Sequence, residues 1–196
     1  MALRRAAEVV ARRRGESYDA VIVQLGNYEA TGLLKKWLRA RWGRLPRAAG
    51  NGDMPQSAGG LPREPRITLG TKIRMLANRA GDRLSGHTLV RVSELAPRFE
   101  DNLSLLAEAF GPKTVVLSPT PCVDSVYLRY RIELHGIMER KCRELKLPYL
   151  DVIGALAGDP EMFSDHVHLS RKGHRQLGIL VAAAVRRVLS ARTVAV

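Results

Sequence analysis

Apolar positions along the chain follow two different spacings. Three short, nearly continuous apolar runs, rich in β-branched residues, have the pattern of buried strands and lie at residues 20–25, 114–117 and 149–152. Longer segments repeat apolar side chains every three or four positions and predict helices at residues 2–14, 33–42, 71–79, 99–110, 127–145 and 171–190. Because strands alternate with helices, the pattern predicts a parallel sheet in a three-layer α/β/α domain.

Local signals place the ends of several elements. Gly15 ends the first helix, and Ser170 is positioned to cap the last one. The segment 118–121 contains two prolines and breaks the second strand, whereas residues 88–92 are a further candidate for extended chain. Residues 47–65 are rich in Gly, Pro, Ala and Ser and predict a loop.

The predicted order begins with a helix instead of a strand. A helix that runs into a parallel strand is normally the second half of a strand–helix–strand crossover, yet no strand precedes residues 2–14. The run at residues 20–25 has the composition of a strand covered on both faces, but it would be left at an edge of the sheet. We therefore expect one or more N-terminal strands of the fold to be missing from this sequence.

Composition narrows the class of protein. A length of 196 residues with 45% hydrophobic residues fits one globular domain, residues 1–196. The longest apolar run, residues 179–185, is too short to cross a bilayer, and no signal-peptide pattern follows Met1, so we expect a cytoplasmic location. Two cysteines do not make a disulfide scaffold, and no Cys/His spacing predicts a metal site.

The net charge of +13 is distributed unevenly along the chain. Residues 31–47 carry six basic side chains and no acidic one. Such a segment suits nucleic acid, an anionic lipid surface or an acidic partner. Without a recognisable binding motif, we interpret it as a solvent-exposed helix face. It opens a basic helical and Gly/Pro-rich insertion at about residues 31–86 of the domain.

The strongest candidate for chemistry lies just before the last helix, where Asp165 and His168 are three residues apart. A carboxylate at this spacing can accept a hydrogen bond from one imidazole nitrogen, which leaves the other nitrogen available as a general base. Asp and His are also common in loops that lead into helices, which is the structural alternative. We expect His166 to point elsewhere, and we interpret His174 as structural.

A second candidate follows the first strand, at Gly26 and Asn27. Ligands of parallel sheets bind beyond the carboxyl ends of the strands. A glycine there brings backbone N–H groups close to a substrate, and an asparagine amide can donate to a developing oxyanion. An ordinary strand-to-helix turn uses the same residue types.

Together these segments resemble the SGNH (GDSL-type) hydrolase family. In that family a Gly-x-Asn-Asp block follows a buried strand and an Asp-x-x-His block precedes the last helix, similar to residues 26–29 and 165–168 here. Further similar segments are the strand ending in a Pro-x-Pro-like sequence at 115–121, Leu150-Asp151, and the Phe-x-x-Asn-Leu sequence at 99–103. The resemblance extends from about residue 18 to 189 and implies a flavodoxin-like SGNH hydrolase fold.

The resemblance implies an ester or acyl hydrolase without metal or cofactor. His168 would be the general base and Asp165 its orienting partner. Backbone N–H groups at Gly26, together with a side chain, would hold the oxyanion. Strict alignment puts the family's asparagine on Tyr28, whereas a shift of one residue puts it on Asn27. The implied substrates are small acyl esters, lipids or acetylated sugars.

The chain departs from the family at the nucleophile. It contains no Gly-Asp-Ser block, whose serine attacks the substrate, and it also lacks the second block that contributes an oxyanion glycine. Both blocks would lie ahead of Met1. Among the internal serines Ser118 is the best placed, but it lacks the strained strand–turn–helix setting that activates a nucleophile. We therefore expect an N-terminally truncated serine hydrolase; the alternatives are a non-catalytic SGNH-like binding protein and a basic protein that associates with nucleic acid or membranes.

Overall fold

The computed structural model describes residues 10, 12–13, 17–27, 68–87 and 92–193. In these residues the strands are β1 (Val21–Gln24), β2 (Thr114–Leu117) and β3 (Tyr149–Leu150). The helices are α1 (Leu69–Leu84), α2 (Val92–Phe110), α3 (Ser125–Glu144), α4 (Val152–Leu156) and α5 (Arg171–Thr193). Short 3-10 turns span Gly111–Lys113 and Pro160–Met162.

The three strands form a parallel sheet in the order β1-β2-β3. Val116 in the central strand lies between Val23 of β1 and Tyr149 of β3. All four residues of β2 are buried, as expected of a continuous apolar run between two layers of helices. The parallel α/β prediction is therefore confirmed.

Side chains of β2 alternate between two hydrophobic cores, one on each face of the sheet. Val116 belongs to a core formed with helices α2 and α3, which contribute Phe99, Leu103, Leu134 and Met138. Val115 and Leu117 belong to a second core with helices α4 and α5, to which Val152, Leu156 and Val188 contribute. Helices thus cover both faces, which gives the three layers that the sequence predicts.

Strand β1 corrects one expectation. Its composition predicts a strand covered on both faces, yet Ile22 is 50% exposed and Gln24 is also exposed. In the described residues β1 has only β2 as a hydrogen-bonded neighbour, so it forms an edge of this sheet. Composition reports how apolar a strand is, whereas burial depends on which elements pack against it.

Several element boundaries differ from the sequence prediction. Helix α1 is longer than residues 71–79, and Thr68 caps it by accepting a hydrogen bond from the Thr71 amide at 3.2 Å. Helix α2 starts at Val92 and runs through Pro97, so Val92 is not extended. The third strand ends at Leu150 because Asp151 caps α4, a short helix that the apolar pattern conceals.

Some expectations fall outside the described residues. These are the basic segment at 31–47 with its predicted helix at 33–42, the loop at 47–65, and residues 88–91; every residue from 28 to 67 lies outside the described part. Of the predicted helix at 2–14, the structure describes only residues 10, 12 and 13, which are helical. Among the helices that are described, none has the length and apolar character needed to cross a membrane.

Candidate active site at the carboxyl end of the sheet

The loops that follow β1 and β2 meet at Asn27. Asn27 Oδ1 accepts hydrogen bonds from the Thr120 backbone amide at 2.9 Å and from Thr120 Oγ1 at 3.2 Å. Because a backbone N–H can only donate, the Asn27 atom that faces it is the oxygen. The Nδ2 group makes no hydrogen bond within the described part of the chain.

The turn that presents Asn27 depends on Gly26. Its φ of +90° lies in the region that favours glycine. A Cβ atom at this position would lie 2.9 Å from Pro119 Cγ and closer still to the Leu134 side chain. Gly26 therefore lets the chain turn tightly between the strand and helix α3.

Asp165 and His168 form a hydrogen-bonded pair in the loop before α5. The His168 Nδ1 atom lies 2.7 Å from Asp165 Oδ2. The other carboxylate oxygen, Oδ1, accepts the backbone amides of Val167 at 2.7 Å and His168 at 2.8 Å. These three bonds hold the carboxylate in one orientation, with the imidazole against it.

The loop that carries the pair is closed at its base. Phe163 and Leu169 form an antiparallel bridge, and the Ser164 amide donates to the His168 carbonyl at 2.9 Å. Ser170 then caps α5, since its Oγ accepts the Gly173 amide at 3.1 Å. This cap confirms the predicted helix start and fixes the exit of the loop.

The pair shifts both pKa values in opposite directions. Burial alone would raise the pKa of the Asp165 carboxyl, but the hydrogen bonds from the His168 ring and from two backbone amides hold it well below its ordinary value. The hydrogen bond to Asp165 raises the pKa of His168, against an opposing contribution from burial. Asp165 therefore stays ionised and stabilises the protonated imidazole.

His168 is accessible. Its side chain is 50% exposed, and within the described residues Nε2 makes no hydrogen bond. With Nδ1 held by Asp165, Nε2 is the ring atom that can take a proton from a bound molecule. This arrangement is chemically able to perform general base catalysis.

The two other histidines of this region have different surroundings. His166 is buried, its carbonyl accepts the amides of Val123 and Asp124, both at 3.1 Å, and burial lowers the pKa of its ring. It fastens the loop to the segment after β2. His174 is exposed on α5.

Arg131 is a site residue that the sequence analysis missed. It is buried on α3, where its Nη1 donates to the carbonyls of Thr120 at 2.7 Å and Pro121 at 3.3 Å, and its Nη2 donates to the Asn27 carbonyl at 3.3 Å. Its charge also opposes protonation of His168 and so tends to lower the pKa of that ring. The guanidinium thus joins the Asn27 turn to the segment that follows β2. An arginine beside the buried stripe of an amphipathic helix was the available signal.

The contacts of the Ser118 side chain are incompatible with a role as nucleophile. Its side chain is fully buried, and its Oγ donates to the Pro119 carbonyl while accepting the amides of Val152 at 2.8 Å and Ile153 at 3.1 Å. A hydroxyl with both lone pairs and its proton engaged anchors α4 and has no access to a substrate.

Tyr28 and Glu29 lie outside the described residues. Burial raises the pKa of Cys122 to about 11 and that of Cys142 to about 12, and both thiols are free and buried. In the part of the chain that the structure describes, no group of three or more His, Cys, Asp and Glu side chains is arranged to hold a metal ion.

Comparison with known proteins gives a partial structural similarity. The crystal structure of the lipase/acylhydrolase from Enterococcus faecalis is similar to part of this chain, with 22% sequence identity and a TM-score of 0.42. The similarity covers 49% of this chain and 52% of the other, so the aligned region spans about half of that protein. No protein-family model and no curated protein matches the sequence.

Proposed function

We propose that this chain belongs to a serine hydrolase of the SGNH (GDSL) type that cleaves an ester or acyl bond. The observation that carries the proposal is the hydrogen bond of 2.7 Å between Asp165 and an accessible His168, at the carboxyl end of a parallel sheet. Asn27 and Arg131 belong to the same end of the sheet. A binding protein has no need of an oriented general base.

In the proposed reaction His168 Nε2 removes the proton from a serine hydroxyl as the serine oxygen bonds to the acyl carbon. Asp165 holds the opposite ring nitrogen and stabilises the imidazolium. The Asn27 Nδ2 group and nearby backbone amides donate to the oxyanion, and the charge of Arg131 adds a favourable potential. His168 then returns the proton to the leaving alcohol, and water releases the acyl group in a second, equivalent step.

We propose that the serine of this mechanism lies in a segment ahead of residue 1. Residues 1–196 contain no Gly-Asp-Ser sequence, and the hydroxyl of Ser118 is fully engaged in the core. The same absence favours one alternative, a non-catalytic SGNH-like protein that uses the site only for binding. The two proposals differ in whether the native protein contains an activated serine. The proposed substrate is a small acyl ester, a lipid or an acetylated sugar.

The deciding experiment uses the protein as its source cell makes it. Its N-terminus is mapped by peptide sequencing, and the protein is treated with a fluorophosphonate probe, which labels activated serines, and with p-nitrophenyl acetate. We expect labelling at a serine ahead of residue 1 and ester turnover. If the native chain starts at Met1 and takes up no probe, the hydrolase proposal is wrong and the proposal of a binding protein replaces it.

A matched pair of histidine variants tests the role of His168. The change His168→Asn should lower ester turnover by a factor of roughly 100 to 10,000, the usual contribution of a general base. The change His174→Asn alters an exposed histidine of α5 and should leave turnover unchanged. Equal turnover in the two variants would remove His168 from the mechanism.

A further inference from the structure

Helix α1 turns its polar side toward the protein. Asn78 Nδ2 donates to Asp124 Oδ2 at 2.8 Å, and Arg129 Nη2 donates to Asp82 Oδ1, also at 2.8 Å. Asn78, Asp82 and Asp124 are all buried. The contacts that hold α1 against α3 are therefore hydrogen bonds and an ion pair, which is the reverse of an ordinary amphipathic surface helix.

The apolar side of α1 faces solvent. Leu69, Ile73, Leu76 and Leu84 are between 58% and 79% exposed. They recur at intervals of three or four residues, and the exposed Ala80 lies on the same side of the helix between Leu76 and Leu84. Together they form one continuous stripe. Contiguous exposed apolar surface of this kind marks an interaction site in a folded protein.

Cations flank the stripe. Lys72, Arg79 and Arg83 are exposed on the same helix, and Arg79 Nε also donates to Ser125 Oγ at 3.0 Å. The acidic residue of α1, Asp82, is buried and paired with Arg129. We call the stripe together with these three cations the α1 face. It combines apolar side chains with a positive charge that nothing on the helix surface neutralises.

We propose that the α1 face docks on an anionic lipid surface. The stripe would enter the boundary between headgroups and acyl chains, while the flanking cations contact lipid phosphates. This docking does not require the hydrolase activity proposed above. It would nevertheless hold the candidate site near the lipid, because α1 contacts Asp124, which is hydrogen-bonded to the His166 carbonyl.

Charge favours lipid over the other possible occupants. The amphipathic segment 31–47 of this chain carries six basic residues and no acidic one, so packing it on the α1 face would bring like charges together. A second α1 face would be repelled in the same way. Nucleic acid would satisfy the cations but leave the apolar stripe in water. An anionic lipid surface satisfies both parts.

Co-sedimentation with vesicles tests the proposal on the full chain. We expect binding to mixed phosphatidylcholine–phosphatidylglycerol vesicles that weakens as salt increases, and much weaker binding to pure phosphatidylcholine. The changes Ile73→Ser and Leu76→Ser should each lower binding roughly tenfold. The control Ile179→Ser removes an isoleucine of α5 that is also 53% exposed and should have no effect.

Two further variants separate charge from insertion. Lys72→Gln should lower binding to the mixed vesicles about fivefold and reduce its salt dependence. A polarity-sensitive dye attached to Leu76→Cys should shift to the blue on these vesicles, whereas the same dye on Ile179→Cys should not. Cys122 and Cys142 are buried and should not compete for the label.

Three results would overturn the proposal. The first is a negative co-sedimentation result: the chain does not sediment with anionic vesicles, or the Ile73→Ser and Ile179→Ser variants bind them equally well. The second is binding to duplex DNA in the absence of vesicle binding, which would assign the cations to nucleic acid. The third is a dimer that Leu76→Ser dissociates in an ultracentrifuge, which would assign the α1 face to a second copy of the chain.

Discussion

At the scale of single residues, Asp165 controls the protonation of His168. It accepts hydrogen bonds from the ring and from two backbone amides. The change Asp165→Asn keeps the size of the side chain but removes the charge. We expect the pKa of His168 to fall in this variant, because the interaction that raises it in the native protein is lost. Titration of the imidazole by nuclear magnetic resonance measures the change, and an unchanged pKa would contradict it.

The same pair makes stability depend on pH. Since the pKa of His168 is raised by folding, its contribution is complete below the ordinary pKa of histidine and is lost as pH rises through the raised value. Since the pKa of Asp165 is lowered, its contribution is present above the ordinary pKa of a carboxyl and is lost as pH falls through the lowered value. The pair therefore stabilises most in weakly acidic solution. Because half of His168 is exposed, we expect less than about 1 kcal/mol.

Ser118 is expected to contribute to stability and not to catalysis. The change Ser118→Ala leaves the buried amides of Val152 and Ile153 without their acceptor. The free energy of unfolding should fall by about 1–3 kcal/mol, measured in urea. The control Ser164→Ala removes only a long bond of 3.4 Å to the His168 carbonyl and should change stability little. If Ser118→Ala lowers ester turnover by more than the fraction of protein that is unfolded, Ser118 takes part in the reaction.

At the scale of elements, the turn after β1 should tolerate no side chain. Gly26→Ala combines a φ of +90° with a collision against Pro119 and Leu134, so it should lower the free energy of unfolding by about 2–4 kcal/mol. Gly158→Ala is a matched control, because its φ is +96° but no atom lies within 4 Å of the new Cβ. It should cost about 1 kcal/mol. Equal losses in urea unfolding would mean that strain alone, and not packing on α3, fixes this turn.

Elements were predictable where local pattern and burial agree. β2 matches its prediction residue for residue because both of its faces are buried. The apolar spacing of α1 located the helix, but it could not reveal that the apolar stripe faces solvent, since that depends on the polar contacts with α3. The start of α4 was hidden because its cap, Asp151, follows an apolar run without interruption.

The candidate site also combines a contact that the sequence predicts with contacts that it does not predict. Asp165 and His168 are three residues apart, so their hydrogen bond follows from local geometry and the sequence points to it. The contact of Asn27 with Thr120 joins residues 93 positions apart, and that of Arg131 with Asn27 joins residues 104 positions apart. Such contacts arise only when the strands are set side by side in the sheet, and no local pattern encodes them.

At the scale of the whole molecule, charge and the sheet edge act against each other. The net charge of +13 repels other copies of the chain over distances of about 10 Å at moderate salt. Strand β1 attracts them, because in the described residues it pairs with β2 alone and Ile22 is exposed on it. Self-association should therefore be weak in dilute buffer and should grow as salt screens the repulsion.

Sedimentation velocity at low and high salt measures this balance. We expect Ile22→Lys to suppress the association that appears at high salt, because a charge on an edge strand opposes strand pairing between copies. Ile132→Lys provides the matched control: Ile132 is 49% exposed, against 50% for Ile22, but it lies on α3 and adds the same charge away from the edge. If both variants suppress association equally, net charge controls it and the edge of β1 does not. If the chain stays monomeric at every salt concentration, the edge is protected by the rest of the molecule.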